Sequence, residues 1–357
     1  MPNIEYQYRS LNNIGFAVAG GVNLCGGGGG LQGVLAGFGN PIVATWAQLT
    51  NAAMVSAVLP GPAWLNVREA NWRQNAIRAA SRMLGTYLVR TPVQHLADPS
   101  DKAGLAQAMG TTMTCFLADQ AAGGFPANMI NLSRFVIVNP GAVVFGGLQR
   151  PDYISQIGGG GPYQIWESKG SGGNWTLAGG PQTGAASGPV LRTAILQCAS
   201  VATVFGGVPS ARVGCMAQGR NNNRWRMVVS DPSDTVSWQP APADQDATFA
   251  TYYEPLIEMI DYLQPDPKAI QFGSRTFDVA QLSPDIAIGI DVGILDALAG
   301  YSPGTWEAGK LTGNVLHAIG KGYAEDNSSK NELEYVNGNG FYVRVSEKFV
   351  EEQASDD

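Results

Sequence analysis

Fourteen residues separate Asp152 from the tripeptide Glu167-Ser168-Lys169, and here residue types and spacing could do chemistry. Two runs, Asp152 to Ile157 and Tyr163 to Lys169, flank the glycines at 158–161, a pattern that predicts two antiparallel strands joined by a short turn. Such a hairpin brings Asp152, near the start of one strand, beside Glu167, near the end of the other. Two carboxylates that close repel unless a cation lies between them, which suits a hard ion such as Mg2+ or Mn2+. Alternation puts Glu167 and Lys169 on one face. Lys169 then reaches a water on the same ion, whose charge makes that water acidic, and phosphodiester hydrolysis follows. The competing reading is a surface hairpin carrying a carboxylate–lysine pair, which is worth little.

The elements that must position these groups are written on either side. Asp101 to Ala122 has the length and apolar content of a helix, with Pro99-Ser100 before it and Gly123-Gly124 closing it. Arg134 to Phe145 (RFVIVNPGAVVF) predicts two short β runs about Asn139-Pro140-Gly141. A helix is expected from Pro189 to Phe205, then strands over Ala211 to Ala217 and Arg224 to Ser230. Helix, strands, helix, strands make a mixed α/β core in the middle of the chain.

Within that order, Pro151-Asp152 followed by Glu167-Ser168-Lys169 resembles the PD-(D/E)XK nuclease superfamily, over residues 102–232. Of the three Pro-Asp pairs, at 151, 265 and 284, only the first has this separation and setting. The resemblance implies a restriction-endonuclease-like αβββαβ core and a metal-dependent nuclease acting on DNA, in restriction, repair or anti-phage defence. It implies that Asp152 and Glu167 bind Mg2+ or Mn2+ and that Lys169 positions the nucleophile. Some branches add an acid from the preceding helix, for which Asp119 is the nearest match. Others add a glutamine from the following helix, where Gln197 stands; a polar residue on a half-buried helix is an equal reading of Gln197. The glycine-rich stretch 170–188, directly after the lysine, departs from the pattern.

Composition limits the partners. The chain has 357 residues, 22 Lys and Arg against 29 Asp and Glu, and a net charge of −7. A surface this acidic does not hold nucleic acid by bulk charge, so any such contact needs a local basic patch or metal ions. It also suggests that DNA is presented by a partner protein or a homo-oligomer. Four widely spaced cysteines exclude a zinc ribbon or a dense disulfide framework, and two histidines exclude a histidine-rich metal site. Gly26 to Gly30 lacks the Lys-Ser/Thr of a P-loop. The first residues lack the basic region of a secretory signal, so a cytoplasmic protein is expected.

Three regions follow: a Gly-rich arm and helical region over 1–100, the nuclease-like core over 101–235, and an accessory α/β region with an acidic tail over 236–357. In the first, helices are expected over Thr45 to Leu59 and Asn66 to Arg90, the latter aligning Arg68, Arg78 and Arg82 in a basic stripe. Pro41 to Leu59 is long enough to span a bilayer, but its polar residues favour a buried helix and no membrane partner. In the third, Ala247 to Leu263 predicts a helix with Pro255 inside it, and Glu334 to Val345 a hairpin. Low charge, abundant glycine and an uncharged arm also suit a self-assembling structural protein such as a viral capsid or shell subunit. A catalytically inactive nuclease-like binding module joins the two readings.

Overall fold

The computed structural model describes residues 1–9, 31–123, 125–157, 161–171, 187–219, 223–231, 239–264, 266–302, 304–320 and 332–354. The Gly26–Gly30 run and most of the insert after Lys169 lie outside them.

In chain order the first elements are β1 (Asn3–Tyr8), α1 (Leu31–Gly37), β2 (Ile42–Val43), α2 (Trp46–Ser56) and α3 (Ala63–Ala80). Thr45 starts α2 with a capping box: its side chain accepts from the Gln48 amide, and the Gln48 side chain accepts from the Thr45 amide. Every residue of α2 is buried, and among the described residues no helix is long and apolar enough to cross a membrane. The helix expected over Asn66 to Arg90 stops at Ala80. Gly85, at a φ of 59°, turns the chain so that β3 (Ser81–Leu84) and β4 (Tyr87–Arg90) pair as a hairpin. Arg82 therefore sits on a strand, and the three-arginine helical stripe does not form.

Next come α4 (Pro92–Leu96), α5 (Pro99–Ala122), β5 (Ile130–Asn131) and α6 (Leu132–Val138). Asp98 caps α5 by accepting from the amides of Ser100 and Asp101, and Gly123 closes it in the left-handed conformation. The β run expected over Arg134 to Val138 is helical instead. Asn131 accepts from the amides of Ser133 and Arg134, and Leu132 and Phe135, three apart, turn into the core.

β6 (Val143–Phe145), β7 (Tyr153–Gln156), β8 (Tyr163–Ser171), α7 (Ser187–Ala199), β9 (Val201–Val204), β10 (Ala211–Gly219) and β11 (Trp225–Ser230) follow. The helix expected to reach Phe205 ends at Ala199, because the β-branched run after Ser200 pairs with β6. The last elements are α8 (Pro242–Leu263), β12 (Lys268–Phe272), β13 (Arg275–Ser283), β14 (Ile286–Asp291), α9 (Val292–Leu298), α10 (Lys310–Gly320), β15 (Glu334–Val336), β16 (Phe341–Val345) and α11 (Glu347–Ala354). Pro255 lies inside α8, and β15 and β16 form the expected hairpin.

The fold is mixed α/β. A nine-stranded sheet runs β3-β4-β1-β11-β10-β8-β7-β5, with β2 added to β1. β7 is antiparallel to β8, β8 parallel to β10 and β10 antiparallel to β11. A five-stranded antiparallel sheet runs β12-β13-β14-β16-β15, and β6 and β9 form a separate pair. One buried cluster contains residues from Ile4 to Phe349.

Helices cover both faces of β8 and β10. On one side α5 sits so close that a Cβ on Gly110 would lie 2.6 Å from the Lys169 carbonyl oxygen. On the other, α7 packs Leu191 and Ile195 against Met216 and Val228. Gly214 admits α7, since a Cβ there would meet Ala194 and Ile195 at 3.1 Å.

Candidate active site

β7 and β8 pair from Tyr153 with Trp166 to Gln156 with Tyr163, so Asp152 lies just before the first pair, level with Glu167. The hairpin brings together Asp152, Glu167 and Lys169, as the spacing predicts. The Asp152 amide donates to Glu167 Oε2 at 3.0 Å. Asp152 Oδ2 accepts from the Ser168 amide at 2.9 Å and from the Ser168 hydroxyl. Lys169 Nζ donates to Glu167 Oε1. Glu167 pairs in register with Gly214 and Lys169 with Met216, which puts both on the face under α7. Ser168 points to the opposite side, where Gln107 of α5 donates to its hydroxyl at 3.4 Å.

The environment is unusual for a carboxylate. Glu167 is 1% exposed. Burial first, and then the charge of Asp152, push its carboxyl up from 4.5 to about 7, although Lys169 and the Asp152 amide pull it down. The same carboxylates act on α7: burial, then Glu167 and Asp152, push the Cys198 thiol well above its ordinary range. The Lys169 side chain is 25% exposed, so the group opens toward solvent through the lysine.

The other expected residues stand apart from this trio. Asp119, near the end of α5, accepts from the hydroxyl of Tyr335 in β15, and no contact of Asp152 or Glu167 involves it. Gln197 is half-buried on α7, next to Cys198, and its carbonyl accepts from Ser200. Its side chain makes no hydrogen bond to the trio. Ser168 is the contributor that sequence reasoning missed. Alternation points it away from Glu167, and only the fold shows it bracing Asp152.

The donor set fits a hard divalent ion. Among the described residues no group of three or more His, Cys, Asp or Glu is placed to hold a metal, which leaves two carboxylates. Mg2+ is held by one or two carboxylates, with waters and substrate phosphates completing its octahedron. Asp152 Oδ1 accepts no hydrogen bond among the described residues, and the mutual repulsion raising Glu167 is what a cation between the two would relieve. Comparison with models of protein families, with curated proteins and with solved structures finds no match.

Proposed function

We propose that the chain is a Mg2+- or Mn2+-dependent nuclease of the PD-(D/E)XK type, hydrolysing phosphodiester bonds of DNA in the cytoplasm. One observation carries the reading: two antiparallel strands bring Asp152, Glu167 and Lys169 together, two hard oxygen donors and one ammonium, with Lys169 partly exposed to solvent. The setting supports it in part: with α6, β6 and β9 interposed, the chain runs α5-β5-β7-β8-α7-β10, and β8 and β10 are parallel across α7, an arrangement compatible with the αβββαβ sequence that the resemblance implies.

Asp152 and Glu167 would hold the ion, which when bound supplies positive charge at the scissile phosphate and a more acidic water. Lys169 orients the attacking water from the solvent side, and its charge favours the deprotonated form of that water. Ser168 keeps the Asp152 carboxylate aimed.

The test is cleavage of single- and double-stranded DNA with Mg2+ or Mn2+, against EDTA and the Lys169→Ala variant. Metal-dependent cutting that the variant loses is the expected result. Cutting that persists in EDTA, or no cutting by the wild type with either metal, overturns the proposal. Exposed apolar side chains, among them Leu148 at 99% and Leu96 at 85%, favour a second reading in which copies of the chain associate. A large closed particle in light scattering would support that reading.

A further inference from the structure

α3 exposes its side chains to water along a single stripe. Its exposed residues are Trp64, Arg68, Trp72 and Asn75, at i, i+4, i+8 and i+11, while Val67, Arg73, Gln74 and Ile77 are buried. The two indoles are 46% and 47% exposed, whereas Trp46, Trp166 and Trp225 are buried to 1% or less. An indole carries a large apolar surface, and two of them left in water on one stripe mark a contact surface rather than core.

Between the indoles stands a cation. The Arg68 guanidinium lies 5.3 Å from the centroid of the Trp64 ring. Among the described residues no carboxylate pairs with it, and Glu69, its neighbour along the chain, pairs with Arg73 at 2.9 Å instead. None of the exposed residues of α3 is acidic, so the stripe itself offers a guanidinium with no counter-charge. Trp64 and Trp72 are eight residues apart, about 12 Å along a helix. A protein hot spot is a packed apolar centre ringed by near-neutral contacts. Here the arginine separates the indoles, which form two platforms with a cation between them.

That alternation suits an unpaired nucleic-acid strand, which offers free base faces and a phosphate at every step. A duplex fits it poorly, because its bases are already stacked on one another. We propose that the outer face of α3 binds single-stranded nucleic acid, with bases stacked on Trp64 and Trp72 and a phosphate on Arg68. The choice of nucleic acid over protein rests on the nuclease reading, but the stripe lies apart from that site. α3 packs through Arg73 on Thr111 of α5, and α5 covers the side of β8 opposite Glu167 and Lys169.

The test is fluorescence anisotropy with fluorescein-labelled oligodeoxythymidylate in EDTA, over a KCl series, against a labelled duplex of equal length. The single strand should bind about tenfold more tightly than the duplex. Trp64→Ala and Trp72→Ala should each weaken binding about tenfold, the order of one lost base stack, and Trp72→Phe should keep most of it. Arg68→Gln removes no ion pair and should reduce the salt slope by about 0.7, the value of one phosphate contact on a single strand. Wild-type affinity in both alanine variants, or equal affinity for the duplex, overturns the platform. Particles that Trp72→Ala disperses in light scattering, or vesicles of phosphatidylserine that only the wild type binds, overturn it too and give the face to a second copy or to a membrane. Cleavage in Mg2+ or Mn2+ is measured alongside. A wild type that binds as expected but cuts nothing sinks the nuclease reading and leaves the platform, whereas cutting with unchanged binding in the variants does the reverse.

Discussion

Asp152 and Glu167 hold each other's strands. The backbone amide of Asp152 donates to the Glu167 carboxylate at 3.0 Å, and the Asp152 carboxylate accepts from the amide of Ser168, the residue after Glu167. Each acid thus fixes the backbone that carries the other. Carboxylate-to-amide hydrogen bonds in both directions hold the two strands at this point.

Removing charge from this clasp should affect chemistry far more than folding. Glu167→Gln and Lys169→Ala are expected to lower metal-dependent cleavage by a factor of a hundred or more, on the order of a lost acid–base or orienting group. Neither change opens a core cavity, so both variants should still fold cooperatively, and near neutral pH Glu167→Gln should be the more stable of the two because it relieves the buried charge. Cleavage rates and thermal melts of the same preparations check both halves. A variant that cuts at the wild-type rate removes its residue from the site.

The raised carboxyl of Glu167 makes folding pH-dependent with a defined sign. In the metal-free protein the folded state keeps the Glu167 proton up to about pH 7, whereas the unfolded chain releases it near 4.5. The folded state therefore binds more protons between those values. The stability tied to that proton is full below about 4.5 and is lost as pH rises to about 7. The change is of order 3 kcal/mol from one group. Urea unfolding in EDTA across this window should show the decline, and Glu167→Gln should remove it. An identical slope in the variant would assign the effect elsewhere.

Metal should act on the same group in the opposite direction. Mg2+ or Mn2+ that binds the folded pair, and not the unfolded chain, stabilises by about 2.7 kcal/mol at a hundredfold excess over Kd. The melting temperature of the wild type should rise with metal, more at pH 8 than at pH 5, because the ligand proposed above is the ionised form of Glu167. Asp152→Asn and Glu167→Gln should lose the rise. Ca2+ and EDTA controls in differential scanning fluorimetry separate this from a general salt effect.

The contact between α5 and β8 tolerates no side chain at two points. A Cβ on Gly170 would lie 1.9 Å from the Ala106 carbonyl oxygen, and one on Gly110 would lie 2.6 Å from that of Lys169. Both obstacles are backbone, so Gly170→Ala and Gly110→Ala should each cost about 3 kcal/mol or more and displace Lys169. Gly104, on the same helix, has nothing within 4 Å of its Cβ position, and Gly104→Ala should stabilise by about 0.5–1 kcal/mol. Chemical denaturation of the three variants reads the contrast directly.

The clasp was legible from sequence because its determinants are local. Period-two alternation and a glycine turn suffice to put Asp152 level with Glu167 and to place Lys169 on the same face. Asp119 and Gln197 were not placed by such signals, since the phase of a helix against a sheet depends on packing many residues away. The segment Arg134 to Val138 misleads for a related reason. Its β-branched residues suit a strand, but the Asn131 cap and the burial of Leu132 and Phe135 make it α6. The stop of α3 at Ala80 turned on one left-handed glycine, Gly85, within an otherwise helix-compatible run. No local pattern marks Asn3–Tyr8 as an interior strand, because its parallel partner β11 lies far along the chain.

That last pairing imposes an order on biosynthesis. Tyr8 meets Val229, so roughly 220 residues must be translated before β1 can take its place between β4 and β11. At about 5–20 residues per second that is some 10–40 s during which the strand-forming segment Asn3–Tyr8 waits beside the ribosome without its partner. Chaperone dependence and misassembly between nascent chains should therefore concentrate on this strand, and expression at lower temperature or with added holdase should raise the soluble yield.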